Sequence, residues 1–324
     1  MRLFLTGGGG FIGSHICEAL LSEENQLIIL DHFHRNALKY LEKPEGDKLV
    51  IFKGDVTDYE LLKHIVRSYR PEAIINLAAM AGIETVERKP LSCIETNFFG
   101  PYYLSKLAIE NDVDRLIHFS SSEVYGEVSN GSAEDSVTPI GPAKDARWSY
   151  ASSKATGDHL ISSFEKQYGL NGVVIRPFNI FGERQTGHGA ISHFIVWALQ
   201  GKNIRIYGDG SQVRAWCYVK NLVDATIKLI DAPETGIFNI GDPRSPETIM
   251  VLAEQIIELT GSTSETVCVP KRSVDVDYRV PNVDKAKNEL GWVPTYDFEE
   301  GLKRTIDWYR SIDLGRETWR AAIS

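Results

Sequence analysis

The residues in this chain best suited to chemistry lie in Tyr150-Ala-Ser-Ser-Lys154, whose spacing puts a phenol and an ammonium on one helix face, one turn apart. A phenol with a pKa near ~10 is a poor base at neutral pH. A nearby positive charge favours the phenolate and brings it into range for removing a hydroxyl proton. Pairs of this kind recur by chance on exposed helices, so the pair gains meaning from its company. Upstream stands a hydroxyl-rich strand end, His118-Phe-Ser-Ser-Ser-Glu-Val-Tyr-Gly126, and the chain opens on a glycine-rich turn, Thr6-Gly-Gly-Gly-Gly10-Phe-Ile-Gly13-Ser-His15.

That turn follows a strand-like Leu3-Phe4-Leu5 and opens a helical stretch with apolar Phe11, Ile12, Ile16 and Leu20. Glycines suit a pyrophosphate at such a place, because a Cβ would hold the backbone away from an anion seated on the unpaired N–H groups and the positive dipole end of the helix. Two registers fit, Gly8-Gly10-Gly13 and Gly7-Gly10-Gly13. Asp31 stands 18 residues after Gly13, at the end of Leu27-Ile-Ile-Leu30, where an acid binds both ribose hydroxyls. Its carboxylate would repel the extra phosphate of NADP, so NAD is expected. Arg35 alone argues otherwise, and an exposed loop arginine is more often a solvated charge. Asp55-Val56 after the third strand and Asn76-Leu77-Ala78-Ala79 after the fourth lie where loops would line the adenine and nicotinamide halves. The expected cofactor contacts are therefore Gly7, Gly10, Phe11, Ile12, Gly13, Asp31, Asp55, Val56, Leu77, Ala78, Ala79 and Asn97, with Tyr150 and Lys154 at the nicotinamide end. The nicotinamide's positive charge would add to that of Lys154 in favouring the Tyr150 phenolate.

Positioning these groups requires a sheet. Strands are predicted near 2–6, 26–30, 49–53, 73–77, 115–119 and 172–176 with helices between them, a rhythm of βαβ units that reads as an α/β, Rossmann-type doubly wound parallel sheet. After Pro177 the rhythm breaks into Gly-, Asp- and Pro-punctuated pieces, the longest helices falling near 247–260 and 298–310. The expected division is a cofactor-binding domain over 1–176 and a smaller substrate-binding α/β lobe over 177–324, some segments of which return to the sheet. At 324 residues the chain has room for a main domain plus a small lobe. A net charge of −9 argues against a nucleic-acid partner, so an anionic ligand must meet a local cluster of arginines or lysines. Cys17, Cys93, Cys217 and Cys268 are widely spaced with no metal-ligand pattern, which suggests neither a metal nor a disulfide framework and fits a reduced cytoplasm. No apolar run approaches the ~20 residues that span a bilayer, and no membrane association is expected.

With TGGGGFIGSH, SSSEVYG, YASSK, RPFNIFG, GDGSQVR and the LGWVP near the C-terminus, essentially the whole chain resembles the extended short-chain dehydrogenases/reductases that act as nucleotide-sugar epimerases, dehydratases and decarboxylases. The resemblance implies a catalytic Ser121, Tyr150 and Lys154. Tyr150 would take the proton from the sugar's 4-hydroxyl, Ser121 would hydrogen-bond that oxygen, and Lys154 would hold the nicotinamide ribose while hydride moves to NAD. It further implies Asn179 near the substrate diphosphate, with Arg214 and Arg279 clamping the phosphates, a task that suits a planar guanidinium. Helices near 97–111 and 149–165 match the pair with which the family builds a homodimer, although Phe98, Phe99, Tyr102, Tyr103 and Leu104 would serve equally as core.

A 4-keto sugar has three common fates, and Ser122-Glu123 helps to choose. Family dehydratases usually carry Asp-Glu here, and a serine hydroxyl is too weak an acid to expel the C6 hydroxyl. Epimerases commonly have small hydroxylated residues where Glu123 stands. The pair resembles that of nucleotide-hexuronate decarboxylases, which share Gly141-Pro142, Arg147-Trp148-Ser-Tyr150 and the tail Asp275-Val-Asp-Tyr-Arg279-Val-Pro281. Ser122, Glu123 and Arg279 would then orient the carboxyl group and protonate C5. Decarboxylation of a UDP-glucuronate-type sugar is the leading expectation, 4-epimerisation the alternative and 4,6-dehydration the third. Reduction of a small carbonyl compound, and non-catalytic NAD sensing, are the readings from other classes. The segment 80–96 and the loop 183–190 are expected to touch the sugar.

Overall fold

The computed structural model describes residues 1–314 apart from 43, 45, 188 and 272–275, so Asp275 of the tail motif lies outside the described residues. The strands are β1 (Arg2–Thr6), β2 (Gln26–Asp31), β3 (Leu49–Lys53), β4 (Ala73–Asn76), β5 (Arg115–Phe119), β6 (Val128–Asn130), β7 (Gly172–Pro177) and β8 (Ile180–Phe181). They continue with β9 (Ile204–Tyr207), β10 (Val213–Ala215), β11 (Cys217–Tyr218), β12 (Gly236–Ile240), β13 (Pro246–Thr248), β14 (Thr266–Val269) and β15 (Tyr278–Val280). The helices are α1 (Phe11–Leu21), α2 (Tyr59–Tyr69), α3 (Ile83–Arg88), α4 (Pro90–Glu110) and α5 (Arg147–Tyr168), then α6 (Ala190–Leu199), α7 (Val219–Asp231), α8 (Ile249–Thr260), α9 (Asp284–Leu290) and α10 (Phe298–Ser311).

Alternation along β1 shows how the layers arise. Leu3 and Leu5 point into one core with Ile16 and Leu20 of α1 and Leu222 of α7, while Phe4 points into the other with Leu62 and Ile65 of α2, Leu104 of α4 and Ile161 of α5. Because both faces are covered, the inner strands are buried along nearly their whole length, whereas the edge strand β3 is more open, with Ile51 at 50%. The resulting seven-stranded sheet is parallel throughout, in the order β12-β7-β5-β4-β1-β2-β3. The chain leaves β1 toward β2 and β3, then returns to add β4 on the other side of β1. This reversal opens a crevice at the carboxyl ends of β1 and β4, the place where such sheets bind ligands. Thr6 Oγ1 donates to Asn76 Oδ1 across it at 2.8 Å.

Two features bear on the predicted boundaries. α4 starts at Pro90, seven residues before the predicted 97, because a proline with no N–H to satisfy is well placed in a first helical turn. With α3, it makes most of the segment 80–96 helical. Crossing of the 176/177 boundary occurs in both directions: β12 forms an edge of the large sheet, whereas β6 joins β15, β10 and β13 in a four-stranded sheet. In that small sheet β10 and β15 run parallel with Arg214 opposite Arg279. The register therefore brings together two guanidiniums 65 positions apart in sequence.

Candidate active site

The glycine turn gives Gly7, Gly8, Gly10 and Gly13 different surroundings, a Cβ on Gly8 lying 2.9 Å from Cγ2 of the Ile29 side chain. Gly7 adopts a left-handed φ of 75°, and a Cβ there would lie 2.6 Å from the backbone nitrogen of Ala78. A Cβ on Gly13 would lie 2.4 Å from the Gly7 carbonyl oxygen and 2.7 Å from Gly8 Cα, so close packing of α1 onto the turn requires its absence. Gly10 is the N-cap of α1 in ordinary extended backbone, and the only atom within 4 Å of a Cβ there is the Gly7 carbonyl oxygen at 3.3 Å. Protein packing thus explains Gly7 and Gly13, while the openness above Gly10, at the positive end of α1, is what a pyrophosphate needs.

Asp31 ends β2 with its carboxylate turned toward the same turn, accepting from Gly9 N at 2.9 Å and Phe33 N at 2.7 Å, and is 8% exposed. Fixed in this way, it retains lone pairs for ribose hydroxyls. Arg35 is half-buried rather than a freely solvated loop charge, and burial lowers its pKa. Phe11 and Ile12 are half-buried against the core beneath the turn. Asp55 closes a turn by accepting from Thr57 N at 2.9 Å, and Val56 is buried against Gly100 of α4. Leu77, bonded through its N–H to Thr6, and Ala78 rise from β4 beside Gly7, with Ala79 next in the chain. Asn97 is fully buried behind this loop: its amide oxygen accepts from Met80 N at 3.0 Å, and its nitrogen donates to Ser153 Oγ at 3.0 Å. It joins the cofactor loop to α5 rather than presenting its amide to open space. These residues fit an NAD molecule laid across the crevice.

Tyr150 and Lys154 come from α5, whose entry is fixed by Trp148. The indole fills the space where a Cβ on Gly141 would stand, 2.2 Å from the ring, which gives the Gly141-Pro142 motif a packing role. Lys154 is 2% exposed and donates from Nζ to the Phe119 carbonyl at the end of β5 at 2.6 Å. Burial lowers its pKa to about 8, with Asp158 and Cys93 opposing the fall, so the ammonium remains mostly charged at neutral pH. Burial raises the Tyr150 pKa above its usual value, and the leading counter-effect is a hydrogen bond with Ser121. Ser121 also caps the short turn Ser122–Tyr125 by accepting from Glu123 N at 3.2 Å. In the protein alone, then, Ser121 does more to favour the phenolate than the sequence suggested.

Glu123 lies at the convergence of three arginines. Arg279 donates to its Oε1, Arg147 Nη2 lies 3.9 Å from Oε2, and the charge of Arg214 acts on it as well. Burial works to raise the Glu123 pKa, but Arg279, Arg147 and Arg214 outweigh it and hold the carboxyl below its ordinary value. Glu123 and Arg279 also act electrostatically on Tyr150, so this cluster borders the catalytic phenol. Ser122 sits beside it, 4% exposed. Asn179 was expected at the diphosphate; the structure shows its amide donating to the carbonyls of Ala215 at 2.9 Å and Arg279 at 3.3 Å, tying together the strands that carry Arg214 and Arg279. Of the loop 183–190, in which residue 188 is outside the described residues, the first part packs on α1 through His15 Nε2 to the Glu183 carbonyl at 2.8 Å and Arg184 to Glu18 at 2.7 Å.

Two neighbours escaped sequence reasoning. Arg147 stands in a motif quoted for its resemblance, and its position three residues before Tyr150 on the same helix was the available signal. Cys93, buried on α4 and close enough to influence both Tyr150 and Lys154, had no signal in its spacing. Among the described residues no group of side chains forms a metal site.

A parallel sheet whose strand order reverses beside a glycine turn, with an acid ending β2 and a Tyr-Lys helix at the carboxyl edge, defines a dinucleotide-dependent site of the short-chain dehydrogenase type. The chain belongs to the NAD dependent epimerase/dehydratase family, whose model matches residues 3–241. Among curated proteins it is 35% identical over 322 residues to the UDP-N-acetyl-alpha-D-glucosaminuronate decarboxylase of Bacillus cytotoxicus, covering 96% of this chain and 98% of the relative. It is 31% identical to the UDP-glucuronate 4-epimerase of Thermodesulfobacterium geofontis, covering 96% and 97%. Among solved structures, the UDP-glucose 4-epimerase of Thermotoga maritima with UDP-glucose superposes with a TM-score of 0.88 at 30% identity, covering 96% and 99%. The expected Rossmann-type fold, NAD dependence and nucleotide-sugar chemistry are thereby established. Among the described residues no helix is long and apolar enough to cross a membrane.

Proposed function

We propose that this enzyme decarboxylates a UDP-hexuronate by way of a 4-keto sugar. The observation that carries the proposal is the cluster of Arg147, Arg214 and Arg279 around Glu123, beside Tyr150. Three guanidiniums converge where a diphosphate and a sugar carboxylate must be held, and the planar guanidinium fork suits both anions. The 35% identical decarboxylase supports the same reading.

In this proposal Gly7, Gly10, Phe11, Ile12, Gly13, Asp31, Asp55, Val56, Leu77, Ala78 and Ala79 line the cofactor, and Asn97 holds their loop in place. NAD, when bound, accepts the C4 hydride and later returns it. Tyr150 removes the 4-hydroxyl proton, Ser121 steadies the oxygen, and Lys154 holds positive charge beside the phenol. Arg214 grips the diphosphate. Arg279 and Ser122 hold the carboxyl group until the C5–C6 bond breaks, its electron pair passing to the 4-ketone and carbon dioxide leaving. A solvent-derived proton reaches C5 beside Ser122 and the Glu123 carboxylate, and Tyr150 returns its proton as the ketone is reduced. Residues 1–176 serve mainly the cofactor and 177–324 mainly the sugar nucleotide. Exposed Leu91, Ile94, Phe99 and Tyr102 on α4, beside Tyr168 of α5, support a homodimer through these helices. Unpaired cysteines support a cytoplasmic location.

A second reading, 4-epimerisation of the same UDP-hexuronate, is favoured by the 31% identical UDP-glucuronate 4-epimerase. Incubation of the purified protein and NAD with UDP-glucuronate and UDP-N-acetylglucosaminuronate, followed by mass spectrometry and NMR, separates the two. Loss of carbon dioxide is expected. An isomer of unchanged mass would establish the epimerase in its place, and loss of water or no turnover would overturn both.

A further inference from the structure

Two fully buried side chains with polar ends, Tyr125 and Asn239, lie behind the Glu123–Arg279 pair and have no part in the chemistry described above. Tyr125 closes the short turn Ser122–Tyr125, two residues after Glu123, and Asn239 stands on β12. The Tyr125 hydroxyl donates to Asn239 Oδ1 at 2.8 Å and accepts from Arg176 Nη1 at 2.7 Å. Arg176 and Asn239 are register partners across β7 and β12, so the phenol is bonded to both members of one rung at the edge of the large sheet. The Arg176 guanidinium also lies over the Tyr125 ring, 4.9 Å from its centroid, and the Phe178 ring packs against it at 5.8 Å.

With its nitrogen Asn239 reaches the other side of the pair. Nδ2 donates to the carbonyl of Asn282, three residues after Arg279, at 3.2 Å, and to that of Ser132, two residues after β6, at 3.0 Å. Its backbone N–H donates to Glu134 Oε1 at 2.8 Å. One amide therefore joins the turn that carries Ser122 and Glu123 to the segment that carries Arg279. In front of it the same two segments meet again, because Arg279 donates to Glu123 Oε1 and, from Nη2, to the Gly126 carbonyl at 3.3 Å. A buried network whose donors and acceptors are paired favours one arrangement of the segments it joins. We propose that Tyr125 and Asn239 are positioning residues for the active site: the bond from the Tyr125 hydroxyl to the Asn239 amide locks the Ser122–Tyr125 turn against the β15 segment and so sets the Glu123 carboxylate on Arg279. The proposal rests on the reading of Glu123 and Arg279 as part of the site, but not on which sugar they meet.

The test follows the Glu123 carboxyl against pH without substrate, in the full chain labelled with glutamate carrying ¹³C at Cδ, the signal being assigned by its loss in Glu123→Gln. The charged and titratable groups that act on Glu123 are Arg279 from β15, Arg147 and Tyr150 from α5, and Arg214 from β10, and Tyr125→Phe replaces none of them. That variant keeps the ring and leaves Arg176 its bonds to Asp158 and to the Glu134 carbonyl. The wild-type midpoint is expected below 4.5. A displaced turn weakens the Arg279 contact, so Tyr125→Phe is expected to raise the midpoint by about one pH unit. Phe178→Leu, which removes packing from the same ring and leaves the hydroxyl bonds, is expected to lower stability without moving the midpoint. An unmoved midpoint in Tyr125→Phe, or an equal shift in Phe178→Leu, overturns the proposal. Should Tyr125→Phe fail to fold, Asn239→Ala, which removes the acceptor and leaves the phenol, is read in the same way. With UDP-glucuronate and NAD, kcat is expected to fall about 10- to 100-fold in Tyr125→Phe while NAD affinity stays within about twofold of wild type. A parallel fall in kcat and NAD affinity would mark a merely structural role and defeat the proposal. If the sugar proposal fails and no substrate turns over, the Glu123 titration still gives its answer.

Discussion

Gly10 and Gly13 look alike in the sequence, and the structure gives them different physical duties. A methyl group added at Gly13 would meet backbone atoms at 2.4 and 2.7 Å, and backbone has no rotamer by which to move aside. Overpacking of this kind costs about 1–3 kcal/mol. Backbone atoms cannot yield, so the upper end of about 3 kcal/mol applies here; alanine returns up to about 1 kcal/mol inside a helix, which leaves a net loss of about 2 kcal/mol for Gly13→Ala. At Gly10 the nearest atom is 3.3 Å away and the backbone (φ −78°, ψ −179°) suits any residue, so Gly10→Ala should stay within about 1 kcal/mol of wild type. Its methyl group instead occupies space meant for the pyrophosphate. The same overpacking range moved onto the ligand, about 1–3 kcal/mol, weakens NAD binding by roughly 5- to 150-fold. Urea denaturation gives the stabilities and isothermal titration calorimetry the NAD affinities. Wild-type NAD affinity in Gly10→Ala, or a stability loss matching that of Gly13→Ala, would refute the division of labour.

Removing the phenol oxygen with Tyr150→Phe is expected to lower turnover by ~10²- to 10⁴-fold while leaving NAD affinity near wild type, as calorimetry and steady-state kinetics will show. Glu123 has a folded-state pKa below its ordinary 4.5, so the stability it contributes is present above that value and is lost as pH falls through the folded one. The stability difference between wild type and Glu123→Gln, followed by urea denaturation from about pH 6 to about pH 3, should therefore shift steadily in favour of the variant; a difference independent of pH would show that the three arginines do not hold the carboxylate. Phe99→Asp introduces a charge into the exposed aromatic face of α4, where Phe99 stacks on Tyr103 at 5.5 Å, and should turn a dimer into a monomer by light scattering without loss of helix content. A monomeric wild type would remove the basis for that expectation.

Asn179 and Arg176 show how a motif identifies a place before it identifies a duty. Both stand in RPFNIFG, near the carboxyl end of β7, where the substrate side of the sheet is expected. The folded chain assigns Asn179 to tying β10 and β15 together and Arg176 to holding Asp158. In each case a side-chain donor is taken up by acceptors within the fold, a requirement that short spacings do not reveal.

The sequence by itself determined the parts whose chemistry is local. Buried parallel strands require continuous apolar runs, a pyrophosphate turn requires glycines before a helix, an acid must end the second strand, and a phenol and ammonium share a helix face when four residues apart. Each requirement is met within a few residues, so each was legible. The tertiary structure decided what depends on strand register and on contacts between distant segments. Arg214 meets Arg279 because β10 and β15 pair in one particular register, and Glu123 meets Arg279 across 156 positions because β6 carries the first half of the chain into the small sheet. Gly7 differs from Gly8 in its left-handed φ and in meeting the backbone of Ala78, whereas Gly8 meets the side chain of Ile29. Register is set by the packing of whole layers, and no spacing within one segment carries that information.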